Sequence, residues 1–144
     1  MYIVGSKTND IEEMILGDIK EKHSDAESYW RPYHEMNGVW FWWGDKKGPD
    51  GYQKLFKMMF DRFVNVHKLN NLLWVWNANG LRDLPFDQAY SYADYYPGPD
   101  YVDVLATDVY HFDYEQKDYN ELLDLAKGKL LPWENVVSSP IRKS

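Results

Sequence analysis

The 144 residues predict one α/β domain built on a parallel sheet. Helical and extended segments alternate along the chain, which is the pattern of strand–helix–strand units. The run Asn71-Leu72-Leu73-Trp74-Val75-Trp76-Asn77 is apolar without alternation, as expected of a strand buried on both faces. The segment before it repeats apolar residues at helical spacing, where a crossover helix belongs.

In chain order, Asn9 to Lys22 carries Ile11, Ile15 and Ile19 with Met14 and Leu16 at helical spacing. Gly17 weakens that helix, and Asn9 or Asp10 is its candidate cap. Tyr29, Trp30 and Tyr33 favour extended backbone and lead into His34-Glu35, and Asn37-Gly38 breaks the run. Glu35 is therefore expected at the C-terminal mouth of a first strand. Gly44 to Gly51 is a polar loop. Tyr52, Leu55, Phe56, Met59, Phe60, Phe63 and Val66 then make one continuous apolar helix face, with Pro49 and Asp50 as start signals. After the buried strand, Asn79 to Pro99 is a loop rich in Asp, Tyr, Pro and Gly, long enough to favour a functional role. Tyr101 to Tyr110 reads as a third strand. Tyr119 to Lys127 reads as a helix with Leu122, Leu123 and Leu125 inward, and Lys129 to Trp133 is a last candidate strand. No internal repeat or low-complexity tract interrupts this order.

Composition excludes several classes. With 44% hydrophobic and 27% charged residues the chain reads as globular rather than disordered, and its 17% aromatic content is high. Surplus aromatic faces suit sugar rings, whose axial C–H groups stack on them. A net charge of −7 argues against a nucleic-acid partner, because a phosphate backbone needs a basic surface. The absence of Cys removes disulfides and thiolate metal sites. No apolar run reaches the ~20 residues needed to span a membrane. Met1 to Lys7 lacks a basic stretch followed by an apolar one, so no secretion signal is expected in the chain as written. There is no phosphate-binding glycine loop, zinc-binding His-Glu-x-x-His or Gly-x-Ser-x-Gly elbow.

The most informative stretch is Trp30 to Gly44, which sets Glu35 between Arg31, His34 and a cluster of indoles. Apolar rings beside an acid disfavour its charged form, while Arg31 and His34 orient it or act in the opposite sense, so a proton donor is chemically reasonable. The bland alternative is that the tryptophans are core and Glu35 a solvated surface residue. Trp is costly to expose unless it binds something, which weighs for a site.

Arg31-Pro32-Tyr33-His34-Glu35-Met36-Asn37-Gly38, Trp40-Phe41-Trp42-Trp43-Gly44, Asn71-Leu72-Leu73-Trp74-Val75-Trp76, Tyr96-Pro97-Gly98 and Tyr101-Val102-Asp103 occur in that order. The series resembles glycoside hydrolase family 26, whose best-known members are endo-β-1,4-mannanases. The resemblance covers 31–129 and implies a (β/α)₈ TIM barrel enzyme that cleaves with retention. It implies one Glu as acid/base at the end of the fourth strand and another as nucleophile at the end of the seventh. By the same resemblance Glu35 is the acid/base, His34 its sugar-contacting neighbour, Trp40 and Trp43 line sugar subsites, and Tyr110 hydrogen-bonds the nucleophile. Arg31 is expected to contact substrate as well. The implied partner is a β-mannan polysaccharide, with no cofactor and no metal, because two carboxylates suffice; the implied location is secreted or at the cell surface. A whole barrel takes ~250 residues, so residues 1–144 are expected to form part of a catalytic domain, about strands 4 to 7 with their helices. Such a part leaves strand edges and apolar surface open to association.

Retention needs two carboxyls about 5–5.5 Å apart. The family pattern resembles Gly-Lys-Pro-Ile-Ala-Leu-Gly-Glu, whereas Gly128-Lys129 is followed by Leu130-Leu131-Pro132-Trp133-Glu134-Asn135, with Glu134 one position early. One residue of register turns a strand side chain to the opposite face, so Glu134 is a poor stand-in for the nucleophile. Restoring one base within the Lys129 codon, with suitable synonymous codons, makes the stretch read Lys-Ala-Pro-Ala-Leu-Gly-Glu-Cys-Gly-Glu-Leu, which has the family's form. Residues 130–144 are accordingly expected to be out of frame. A similar slip would explain Asp25-Ala26-Glu27-Ser28-Tyr29, where the family would show an apolar strand.

Other residues divide between site and scaffold. His23 and His67 lie on helical segments and read as solvated or packed, whereas His111, just after Tyr110, is placed to touch substrate. Asp103 and Asp108 fall within the third strand, and Asp108 lies nearer the active end. Trp74 and Trp76 share one face by period two, and Trp76, nearer the mouth, is a candidate sugar contact. Tyr90, Tyr92, Tyr95 and Tyr96 form either a sugar platform or, more simply, loop packing. Two readings of function remain: a retaining β-mannan hydrolase, or a non-catalytic carbohydrate-binding protein that keeps the aromatic platforms without the nucleophile. A same-family β-glucanase or xylanase would differ only in subsite contacts.

Overall fold

The computed structural model describes residues 28–81, 91–108 and 116–126. The expected helix from Asn9 to Lys22, the strand from Lys129 to Trp133, and His23, Tyr90, Tyr110, His111 and Glu134 lie outside the described residues. Among the described residues three strands form a parallel sheet in chain order: β1 (Ser28–Trp30), β2 (Leu72–Asn79) and β3 (Val104–Asp108). Trp30 lies beside Trp74, and Val75 to Asn79 run beside Val104 to Asp108. β2 is thus the middle strand. Its continuous apolar run is what that position demands, and all of it except Leu73 is buried. Ser28 to Trp30 extend as a strand despite their polar start, at the place where a slip was suspected.

α1 (Tyr52–Phe60) follows the polar loop and runs directly into a π-helical segment, Asp61–Val66. Gly51 sits at its N-terminal boundary, so Pro49 and Asp50 signal the start slightly early. Phe56, Phe60 and Phe63 pack on Trp74 with ring centroids 5.8, 4.9 and 6.1 Å away, the contact that seats the helix on the sheet. The expected apolar face holds through Phe63 and fails at Val66, which is 62% exposed. The wider π turn carries the last positions off the stripe that a uniform helix would keep.

Along β2, Trp74 and Trp76 do share a face, and that face is the helix side. Trp76 meets Tyr92 and Tyr96 edge-on, and the Tyr92 hydroxyl is 2.9 Å from Thr107 Oγ1. Tyr92, which opens a short 3-10 turn (Tyr92–Asp94), and Tyr95 are fully buried, so these two tyrosines are core rather than a platform. α2 (Gln116–Ala126) begins before Tyr119 and buries Asp118, Leu122 and Ala126, a stripe spaced by four. Leu125 joins the core edge, but Leu123, expected inward, is 40% exposed because it lies about 100° around the helix from Leu122. Asp103 also departs from expectation. It precedes β3, is exposed, and clips the sheet together by accepting from Trp74 N at 2.8 Å while its own N–H donates to Trp74 O at 2.9 Å.

Candidate active site

β1 ends at Trp30, yet the chain keeps its place beside β2. Glu35 N–H donates to Asn77 O at 2.7 Å, continuing the ladder past the last paired residue. Two residues on, the Asn37 side chain takes over the role of backbone. Its Nδ2 donates to Asn79 O and its Oδ1 accepts from Asn79 N–H, each at 2.8 Å, in a fully buried setting. A primary amide carries a donor nitrogen and an acceptor oxygen side by side, which is why Asn fits. Glu35 thus lies five residues past the strand end, over the C-terminal end of the sheet.

These bonds hold an unusual backbone. Tyr33 and Glu35 have φ of 51° and 53°, in the left-handed region that side chains with a Cβ avoid. Each costs about 1–3 kcal/mol and persists where surrounding contacts over-determine it, as they do at ligand clamps and active sites. Gly38 has a different constraint: a Cβ placed there would fall within the Trp40 ring. The absence of a side chain lets the indole close over the loop.

Glu35 is 6% exposed, and its Oε2 accepts from Trp40 Nε1–H at 3.0 Å. Trp40 itself is 47% exposed, so one indole holds the carboxyl and still shows surface to solvent. His34 lies against Phe41 at 5.0 Å between centroids, and Phe41 stacks on Trp43 at 4.4 Å and 12°. Trp43 Nε1–H donates to His34 O at 2.9 Å. Trp42, 71% exposed, stands edge-on to Tyr33 and Trp43. A half-exposed aromatic wall therefore flanks one buried acid.

On the face of the sheet opposite Trp74 and Trp76, a polar cluster forms beneath Glu35. Arg31 donates through one guanidinium nitrogen to Asn77 Oδ1, and the same nitrogen lies 3.5 Å from Asp108 Oδ2. Asp108 is almost enclosed, with 8% of its side chain exposed against 44% for Arg31. Burial pushes the Asp108 carboxyl above its ordinary range, Arg31 and Asn77 draw it back, and the charge and hydrogen bond of Glu35 push it up further.

The structure brings Arg31, His34, Glu35, Trp40 and Trp43 together and leaves Trp76 out. Trp76 is 0% exposed on the helix side of β2, because period two that places Asn77 at the site turns its neighbour away. Tyr110, His111 and Glu134 fall outside the described residues. His67 ends the π segment at the other end of the sheet. Sequence reasoning passed over Asn37, Asn77 and Asn79, although an Asn at the end of an apolar strand is itself a signal of a required hydrogen bond. Among the described residues no group of three His, Asp or Glu side chains converges in a way that could hold a metal ion. A cavity of about 310 Å³ lined by Phe60, Leu72, Trp74 and Tyr101 opens at the opposite end of β2 and takes no part in the site.

A buried acid and exposed indoles thus lie at the C-terminal end of a parallel α/β sheet, the end at which α/β-barrel enzymes carry their sites. The family itself is shown by comparison: residues 10–135 match the model of Glycosyl hydrolase family 26, and the chain belongs to that family. The match is wider than the motif-bearing 31–129. A mannan endo-1,4-beta-mannosidase of Thermothelomyces thermophilus is 45% identical over 102 residues, 69% of this chain and 18% of the relative. Another, from Bacillus subtilis (strain 168), is 31% identical over 134 residues, 87% of this chain and 35% of the relative. The solved GH26A from Muricauda sp. superposes with a TM-score of 0.76 at 61% identity, over 86% of this chain and 40% of that one. The beta-mannanase from a symbiotic protist of the termite Reticulitermes speratus, solved with a gluco-manno-oligosaccharide, gives a TM-score of 0.65 at 35% identity, over 95% and 41%. The chain thus spans well under half the length of these relatives, and its three-stranded sheet is part of their α/β barrel fold.

Proposed function

We propose that this chain carries the acid/base half of a retaining endo-β-1,4-mannanase, with Glu35 as the catalytic residue. The observation that carries the reading is a buried carboxyl gripped by the Nε1–H of a half-exposed tryptophan at the C-terminal end of a parallel sheet. The Thermothelomyces thermophilus and Bacillus subtilis relatives are both named mannan endo-1,4-beta-mannosidase, which supports mannan as the glycan.

In the first step a second carboxylate attacks the anomeric carbon as the glycosidic C–O bond breaks, and Glu35 gives its proton to the departing oxygen. In the second, Glu35 takes a proton from water, whose oxygen displaces the enzyme carboxylate and frees the sugar. Trp40, Trp43 and His34 offer surfaces for neighbouring sugar rings. Asp108 is not the nucleophile, since two carboxyls in hydrogen-bond contact leave no room for an anomeric carbon between them. That role falls to the segment after Lys129, with Glu134 or a reframed glutamate as its source. Tyr110 would orient that nucleophile and His111 would touch substrate. β1, β2 and β3 correspond in this reading to the fourth, fifth and sixth barrel strands, and the protein acts outside the cell or at its surface.

Reducing-sugar release from β-1,4-mannan, compared with mixed-linked glucan and xylan, tests the assignment. Mannan is expected to be preferred, and Glu35→Gln to abolish its turnover; undiminished turnover in the variant overturns the assignment. The aromatic wall also favours carbohydrate binding without cleavage, and retention on a mannan affinity gel with no product would establish that second reading.

A further inference from the structure

We propose that Asp108 is a positioning residue for Glu35, and that Arg31 braces Asp108 rather than serving first as a sugar ligand. The inference deepens the glycosidase reading and rests on it for its kinetic arm. Its geometric basis is a convergence on Asn77. The Asn77 backbone carbonyl receives Glu35 N–H at 2.7 Å, and its side-chain oxygen receives the Arg31 guanidinium. That guanidinium lies 3.5 Å from Asp108 Oδ2, and Asn77 also hydrogen-bonds the Asp108 carboxyl. The Asp108 carboxyl in turn meets that of Glu35. Both acids are more than nine-tenths buried, at 6% exposure each.

Burial pushes the Asp108 carboxyl toward its neutral form, which can donate a hydrogen bond to the Glu35 carboxyl it meets. The Glu35 carboxyl is then held from two sides, by Trp40 Nε1–H on Oε2 and by Asp108. The charged groups facing this pair among the described residues are Arg31 from the end of β1 and the two acids themselves. Arg31 supplies the one positive charge, 3.5 Å from Asp108 Oδ2. A carboxyl fixed this way keeps its orientation toward the sugar without searching rotamers, which is the contribution expected of a residue that never touches substrate.

The test is Asp108→Asn, which keeps shape and removes the carboxyl that Glu35 meets. If Asp108 acts through the proton donor, kcat on mannan falls about tenfold or more while KM stays within about twofold. The kcat/KM of a dinitrophenyl β-mannoside, which reports a first step whose leaving group departs without a proton, stays near wild type, whereas its kcat falls because Glu35 must still activate water in the second step. Equal losses of kcat/KM on both substrates would mean a general structural role and overturn the proposal. A second arm is independent of catalysis: the carboxyl carbon of Asp108 is followed by NMR against pH in the wild-type chain and in Glu35→Gln. The Asp108 midpoint is expected to move down in the variant, since a group that opposes its ionisation has been removed. An unchanged midpoint overturns the contact even if the chain proves to be an active mannanase. A shifted midpoint in a chain that cleaves nothing sustains the contact and sinks the mannanase reading instead.

Discussion

At the scale of single residues, Trp40 is the side chain on which Glu35 most directly depends. Its Nε1–H to Oε2 bond at 3.0 Å is charge-assisted whenever Glu35 is ionised, as it must be in the second half of a retaining cycle. Trp40→Phe keeps an aromatic face and deletes the donor, so kcat is expected to fall about tenfold with a smaller change in KM. Steady-state kinetics on mannan separate the two; a rise in KM alone would assign Trp40 to sugar stacking only. Gly38 belongs to the same unit, since any side chain there collides with the Trp40 ring and swings the indole off the acid. The sequence placed Glu35, His34, Trp40 and Trp43 correctly near one another because they are within ten positions along the chain, and a short loop cannot separate them. It could not place Arg31 against Asn77 and Asp108, which are 46 and 77 positions away.

At the scale of elements, α1 shows where periodicity works and where it stops. A uniform helix would bury Phe63 and Val66 alike, yet Phe63 packs on Trp30 and Trp74 while Val66, the last residue of the π turn, is 62% exposed. Phe63→Ala is therefore expected to cost about 3 kcal/mol or more through the cavity it leaves, and Val66→Ser less than about 0.5 kcal/mol. Urea unfolding of both variants measures this; comparable losses would show that the helix runs regularly through Val66. The same contrast holds in β2. Its burial was legible from an unbroken apolar run, but the run gave no reason to prefer one face, and Trp76 turned out to serve the helix layer while Asn77 serves the site.

For the molecule as a whole, Asp108 links the site to stability. Its carboxyl is pushed up in the folded chain, chiefly by burial, relative to its ordinary value near 3.8. A group raised in this way contributes stability that is fully present below its unfolded value and is lost as pH rises through the folded one. Asp108→Asn carries no such loss. The variant is expected to match wild type near pH 3 and to gain on it as pH rises, so the Tm difference, variant minus wild type, should be more positive at about pH 7. A Tm difference that is flat or falls across that range would show that Arg31 fully compensates the buried charge. A site that weakens its own scaffold in order to hold an acid in place is a familiar trade between activity and stability.

The chain's order of residues determined the alternation of helix and strand, the parallel sheet, and the cluster of acid, imidazole and indoles, because each is set by neighbours within a few turns or one strand. Tertiary structure alone decided that Asn37 would imitate a strand, that the helix would widen before Val66, and that Arg31, Asn77 and Asp108 would meet under Glu35. Those outcomes depend on strand register, and register is fixed by which faces the whole sheet can bury rather than by any one segment.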